Sequence, residues 1–158
     1  MLSSTRLAPA TVVPGLLAGI VGAAAIDAYL LLTFVAATHT ETLDGFFGFI
    51  ASGAIGKSAY GEPSSIWLGL AIHVAVSLAW GVGYAYAAAR APQLNARPIT
   101  SGIVFGVVVM IAMQLVEVAA NIYTLPNTFS LLNQFVAHTL FFGIPIAWIV
   151  AARARAAS

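Results

Sequence analysis

The chain has 158 residues, of which 61% are hydrophobic and only 7% charged, and its mean hydropathy is +0.97. A formal net charge of +1 offers nucleic acid no basic surface, and the absence of cysteine excludes disulfides, thiolate metal sites and thioether attachment of haem. What remains is one all-α polytopic membrane domain over residues 1–158, with the lipid bilayer as its first partner.

Four apolar runs, residues 12–37, 66–89, 99–122 and 130–152, are each long enough to cross a hydrocarbon layer of about 30 Å as a helix. The first could pass for a signal-peptide core, with Ala23-Ala24-Ala25 as a small-residue cleavage site. It continues through Leu30-Leu31-Leu32 to Ala37, too long for such a core, and reads as a retained span. The loop that follows is about 28 residues long and carries Leu43, Phe46, Phe47 and Ile50 at helical spacing, with Asp44, Gly48 and Ser52 on other faces. This pattern predicts a short amphipathic helix, either lying among lipid headgroups or packed as a lid over the bundle mouth. Between the second and third spans Pro92, Asn95 and Pro98 stop one helix and restart another. Between the third and fourth, Thr124-Leu125-Pro126-Asn127 does the same. Short turns joining long spans predict an up-down-up-down four-helix bundle.

Basic residues set the orientation. Arg6, Arg90, Arg97, Arg153 and Arg155 fall on one side of these spans, whereas Lys57 falls on the other with Glu41, Asp44 and Glu62. The positive-inside bias makes the arginine side, with both termini, cytoplasmic. Trp67 and Tyr123 then read as anchors at the outer interface, and Tyr86 and Trp148 at the inner one. An internal repeat of two hairpins also emerges. An offset of 87 carries Gly15, Gly19 and Asp27 onto Gly102, Gly106 and Gln114, and an offset of 65 carries His73 onto His138 and Arg90 onto Arg155.

Residues four apart share a helical face, and each span has one face of small and polar residues. Gly15, Gly19, Ala23 and Asp27 form that face in span 1, and His73, Ser77, Trp80, Gly81 and Tyr84 in span 2. Span 3 contributes Gly102, Gly106, Met110, Gln114, Glu117 and Asn121, and span 4 Gln134, His138, Phe142 and Pro145. Glycines of this kind let helix backbones approach closely, and Pro145 should kink span 4. Counted down from the outer boundary, Glu117 lies at about 6 Å, His73 and Gln114 at about 10 Å, His138 at about 13 Å and Asp27 at about 16 Å. These groups, with Ser77, make a candidate intramembrane polar site, because an ionisable residue in hydrocarbon is costly unless it is paired or faces a cavity.

Four chemistries fit that set. His73 could bond Asp27 or Glu117, and His138 Gln134 or Gln114, as plain helix-to-helix glue. The cluster could relay protons or pass ions, since histidine titrates near neutrality. Two histidines with one or two carboxylates could hold a divalent metal such as zinc, copper or iron. Finally, His73 and His138 could be axial ligands of a b-type haem between diagonal helices, although close-packed small faces leave little room for a porphyrin. Soluble-enzyme signatures such as G-x-S-x-G, a phosphate-cradling glycine loop and H-E-x-x-H are absent, so nothing identifies a catalytic reaction.

His73 with Ser77, Gly83-Tyr84, Gly102 with Gly106, Thr124, Pro126, His138 and the basic end at Arg153 together make residues 66–155 resemble the YagU-like bacterial inner-membrane proteins. Span 1 resembles them more loosely around Gly19. The resemblance implies an inner-membrane location and a shared His73/His138 pair, in a family whose activity is unassigned. Asp27 and Glu117 fall outside its pattern, and Gln114 stands where a histidine would fit. The expectation is a small membrane protein handling protons or ions. The alternatives are haem or metal binding, and service as a scaffold subunit in a homo-oligomer or a larger complex.

Overall fold

The computed structural model describes residues 9–60 and 62–156; Arg6 lies outside the described residues. It is an all-α bundle of four membrane-spanning helices, with no strand among the described residues. Span 1 runs from Thr11 to Ala37, span 2 from Ser65 to Arg90, span 3 from Pro98 to Ala119 and span 4 from Thr128 to Ala156. Span 3 thus ends before the predicted Ile122. Asn121 turns into the left-handed region at φ 56°, and Ile122 and Tyr123 both donate their N–H to the Glu117 carbonyl. Span 4 begins earlier than expected because Asn127 caps it, its side-chain oxygen accepting the Ser130 N–H at 2.8 Å.

Two spans change helical type part-way. In span 1 the α-helix Pro9–Leu30 passes into a π-helix, Leu31–Ala37, and in span 4 the α-helix Thr128–Val136 passes into a π-helix, Ala137–Gly143, before resuming at Ile144. Threonines sit at both transitions: Thr33 donates to the Tyr29 carbonyl at 3.0 Å and Thr139 to the Phe135 carbonyl at 2.7 Å. Such back-bonding loosens the helical ladder. The kink expected at Pro145 therefore takes the form of a wide turn just before it, where Ile144 donates to the Thr139 carbonyl five residues back.

Glycines set the seams. A Cβ on Gly15 would overlap the backbone of Gly81 and Val82, and one on Gly19 the backbone of Ser77 and Leu78, so spans 1 and 2 lie backbone to backbone. Gly102 meets Gly143 and Ile144 in the same way, and Gly106 meets His138 and Thr139, which joins spans 3 and 4. These contacts match Gly81 to Gly143, a shift of 62, and Ser77 to His138, a shift of 61, rather than the 65 that puts His73 on His138. The two histidines are therefore not equivalent positions of the two hairpins. Span 4 also packs on span 1, where Tyr29 and Phe141 stack at 4.2 Å. Of its most apolar window 44% is buried, against 28%, 17% and 17% for spans 1 to 3, which makes it the central helix. Spans 2 and 3 meet instead through wide side chains: Phe105 lies 5.9 Å from Trp80 and 4.8 Å from Tyr84, ring centre to ring centre.

The loop helix Leu43–Ile55 starts at a Thr42 cap and is seated on span 2, where a Cβ at Gly69 would run into the Phe47 backbone. Its buried face is Gly45, Phe47, Gly48, Ala51 and Ser52, while Leu43 is half exposed. The sequence pattern puts Gly48 and Ser52 on faces other than that of Leu43, Phe46, Phe47 and Ile50. Small residues face inward here because close approach to another helix, rather than hydrophobicity, selects the contact face. At the opposite end Arg90 lies over the Tyr86 ring at 3.4 Å, and Trp148, like Trp67 at the loop-helix end, is largely exposed.

Candidate functional site

The predicted polar residues separate into an inner and an outer group. In the inner group, His73 Nδ1 and Asp27 Oδ1 lie 2.7 Å apart, joining span 2 to span 1 one turn before span 1 becomes a π-helix. Neither atom makes an aligned hydrogen bond, and the side chains are only 16% and 13% exposed, so each is the other's polar neighbour. His73, Ser77 and His138 line a chamber of about 40 Å³ that receives residues from all four spans, among them Ile26, Val109 and Phe142. Ser77 is 1% exposed, held at the Gly19 seam.

His138 is carried on the π-helical part of span 4. Its Nδ1 lies 2.9 Å from the Gln134 carbonyl. A carbonyl only accepts, so Nδ1 carries the hydrogen and the neutral ring keeps Nε2 as its free acceptor. The His138 carbonyl is itself pressed against Gly106, which fixes the ring's depth from the other side.

The outer group lines a second, larger cavity of about 660 Å³, which opens between the loop helix and spans 3 and 4. Gln114 and Glu117 face it from span 3, Gln134 and His138 from span 4, and Glu41 and Lys57 from the loop. Met113 and His138 belong to the walls of both cavities. Two of the chamber's lining residues, Trp80 and Phe142, belong to a cluster of packed rings with Phe105 and Tyr84.

Two sequence-based alternatives fail on this geometry. A chamber of about 40 Å³ between His73 and His138 is far too small for a porphyrin, so the bis-histidine haem does not fit. Among the described residues no three His, Asp or Glu side chains gather closely enough to hold a metal ion. Asp27 is engaged with His73, His138 Nδ1 is spent on its own helix, and Glu117 faces the other cavity.

Sequence reasoning missed a second polar link. Tyr29 donates its hydroxyl to Asn133 Oδ1, and Asn133 Nδ2 donates to Thr33 Oγ1 at 3.1 Å, tying span 1 to span 4. Asn133 is 6% exposed. A buried amide in a span, one residue before Gln134, was the available signal. It lay off the face containing His138 and so escaped notice. No family model matches the chain, and no curated protein or solved structure matches it.

Proposed function

We propose that this integral membrane protein handles protons or small ions through the His138–chamber–His73 route. The observation that carries this reading is the position of His138, which stands in the wall of both the open cavity and the inner chamber. A proton taken up at His138 Nε2 from the cavity passes through water in the chamber, which has room for about two molecules, to His73. There Nδ1 faces the Asp27 carboxylate at 2.7 Å. Onward passage requires the aromatic cluster of Trp80 and Phe105 to part, so the route is accessible from one side at a time. We further place both termini on the cytoplasmic side of a bacterial inner membrane, in line with the resemblance to YagU-like proteins and with Arg90, Arg97, Arg153 and Arg155 at one end of the bundle. Reporter fusions after Pro92 and near Ser58 should lie on opposite sides.

A second reading is favoured by one fact: among the described residues, Asp27 Oδ1 and His73 Nδ1 are partnered only by each other, as helix glue within a scaffold subunit requires. Flux in liposomes under a pH gradient separates the two. Under the relay, Asp27→Asn keeps the fold and abolishes flux, and His138→Ala changes its pH dependence. Under the glue reading there is no wild-type flux, and Asp27→Asn alters stability by about 1 kcal/mol at most.

A further inference from the structure

The larger cavity has features the relay does not use, and we propose that it binds a monovalent organic cation with a bulky apolar body. Its volume of about 660 Å³ lies in the range of sites for drug-sized ligands. Its wall is mainly apolar and aromatic, with Phe34, Phe46, Phe49 and Tyr60 offering ring surfaces and Met110 and Met113 a deformable floor. Within the span, the Glu117 carboxylate faces this space, and among the described residues no side chain pairs with it. A carboxylate left alone at that depth is costly, and a ligand that brings the missing positive charge into an apolar pocket removes the cost.

The charge at the rim agrees. Glu41 stands there with Lys57, and Lys57 is exposed on the turn Lys57–Ala59, well outside the spans. Tyr60 donates its hydroxyl to Glu41 at 3.2 Å. Burial, followed by the charge and hydrogen bond of Glu41 and the charge of Asp44, pushes the Tyr60 phenol above its ordinary range. Burial is the larger cause, and the negative charges of Glu41 and Asp44 add to it. A lipid tail would fill the volume but leave Glu117 without a partner.

This inference does not rest on proton transfer, because binding at equilibrium needs no flux. The test uses tetraphenylphosphonium and tetraphenylborate, probes of matched shape and opposite charge. Each is titrated into the full chain in mild detergent at fixed pH, with protein-free micelles as the blank. The expected result is saturable binding of the phosphonium at least about tenfold tighter than that of the borate, a difference of about 1.4 kcal/mol. Glu117→Gln should bring the two within about twofold. Equal or tighter binding of the borate would overturn the proposal, as would no saturable binding of the phosphonium or an unchanged preference in folded Glu117→Gln. Should that variant not fold, the wild-type preference between the two probes decides the matter alone.

Discussion

The two hairpins solve one packing problem in different ways. In the first, Gly15 and Gly19 meet residues of span 2 that are also four apart, Gly81–Val82 and Ser77–Leu78, so an α-helix lies on an α-helix in matching register. In the second, Gly102 and Gly106 keep the same spacing, but their partners Gly143–Ile144 and His138–Thr139 are five apart. The difference is the π-helix Ala137–Gly143, whose wider turn places one more residue between the two contacts. The regular seam carries a self-contained pair, Asp27 with His73. The irregular seam carries His138, whose backbone lies against Gly106 while its ring reaches both cavities. A widened turn at a seam thus turns a packing position into a site position.

The strongest way to break this comparison is to block a seam. Gly106→Leu drives a side chain into the His138 carbonyl, and overpacking of this kind costs about 1–3 kcal/mol even where neighbours can yield. Backbone cannot yield, so Gly106→Leu should give no monodisperse folded protein in detergent. Gly83→Leu is the control, because nothing lies within 4 Å of a Cβ there, and it should fold like the wild type. A folded, active Gly106→Leu protein would mean that the seam is not where the spans meet.

A subtler change sharpens the comparison. Deleting Leu140, which is half exposed on the π-helix, should restore a four-residue register to span 4. The bundle should survive with stability lower by about 1–3 kcal/mol as the seam repacks. His138 should swing off the cavity wall and pH-dependent flux should be lost. Retained flux in a folded deletion variant would show that the π-turn does not position the histidine.

The smallest effect concerns the rim. The Tyr60 phenol has its pKa raised above 10.0, so the folded state holds that proton more tightly than the unfolded chain does. Its contribution to stability is complete below the unfolded value and is lost as pH rises through the folded one. Alkaline titration followed by ultraviolet absorbance should therefore reveal a late-titrating tyrosine. Glu41→Gln, which removes a charge and a hydrogen-bond acceptor, should move it earlier. An identical titration in Glu41→Gln would separate Tyr60 from the rim's negative field.

Apolar run length made the four spans legible, because hydrocarbon thickness leaves few choices of element. The glycine faces were legible too, since residues four apart on a helix share a face, and Gly15/Gly19 and Gly102/Gly106 do meet partner backbones. That counting assumes a constant 3.6-residue turn, so neither π-helix could be foreseen. His138 was matched to His73 because both are histidines, whereas the seam contacts match it to Ser77. The loop helix misled for another reason: hydrophobicity marks the buried face in water, whereas Gly48 and Ser52 were buried for their size. The pairing of Tyr29 with Asn133 spans 104 positions of sequence, and no local pattern signals it.

The central place of span 4 has a consequence for how the molecule is made. Spans 1 and 2 form their seam with each other, so this pair can close as soon as both have entered the bilayer. Span 3 has its glycine seam with span 4, which follows it in the chain, and meets span 2 mainly through rings. Gly102 and Gly106 must therefore wait in lipid, uncovered, until the last helix is delivered. Domains assemble from the N-terminus during synthesis, and a helix that holds three others together but arrives last leaves an interval of partial assembly. During that interval the unfinished bundle presents a small-residue face to its surroundings, and the speed at which span 4 inserts governs how long that face remains open to wrong neighbours.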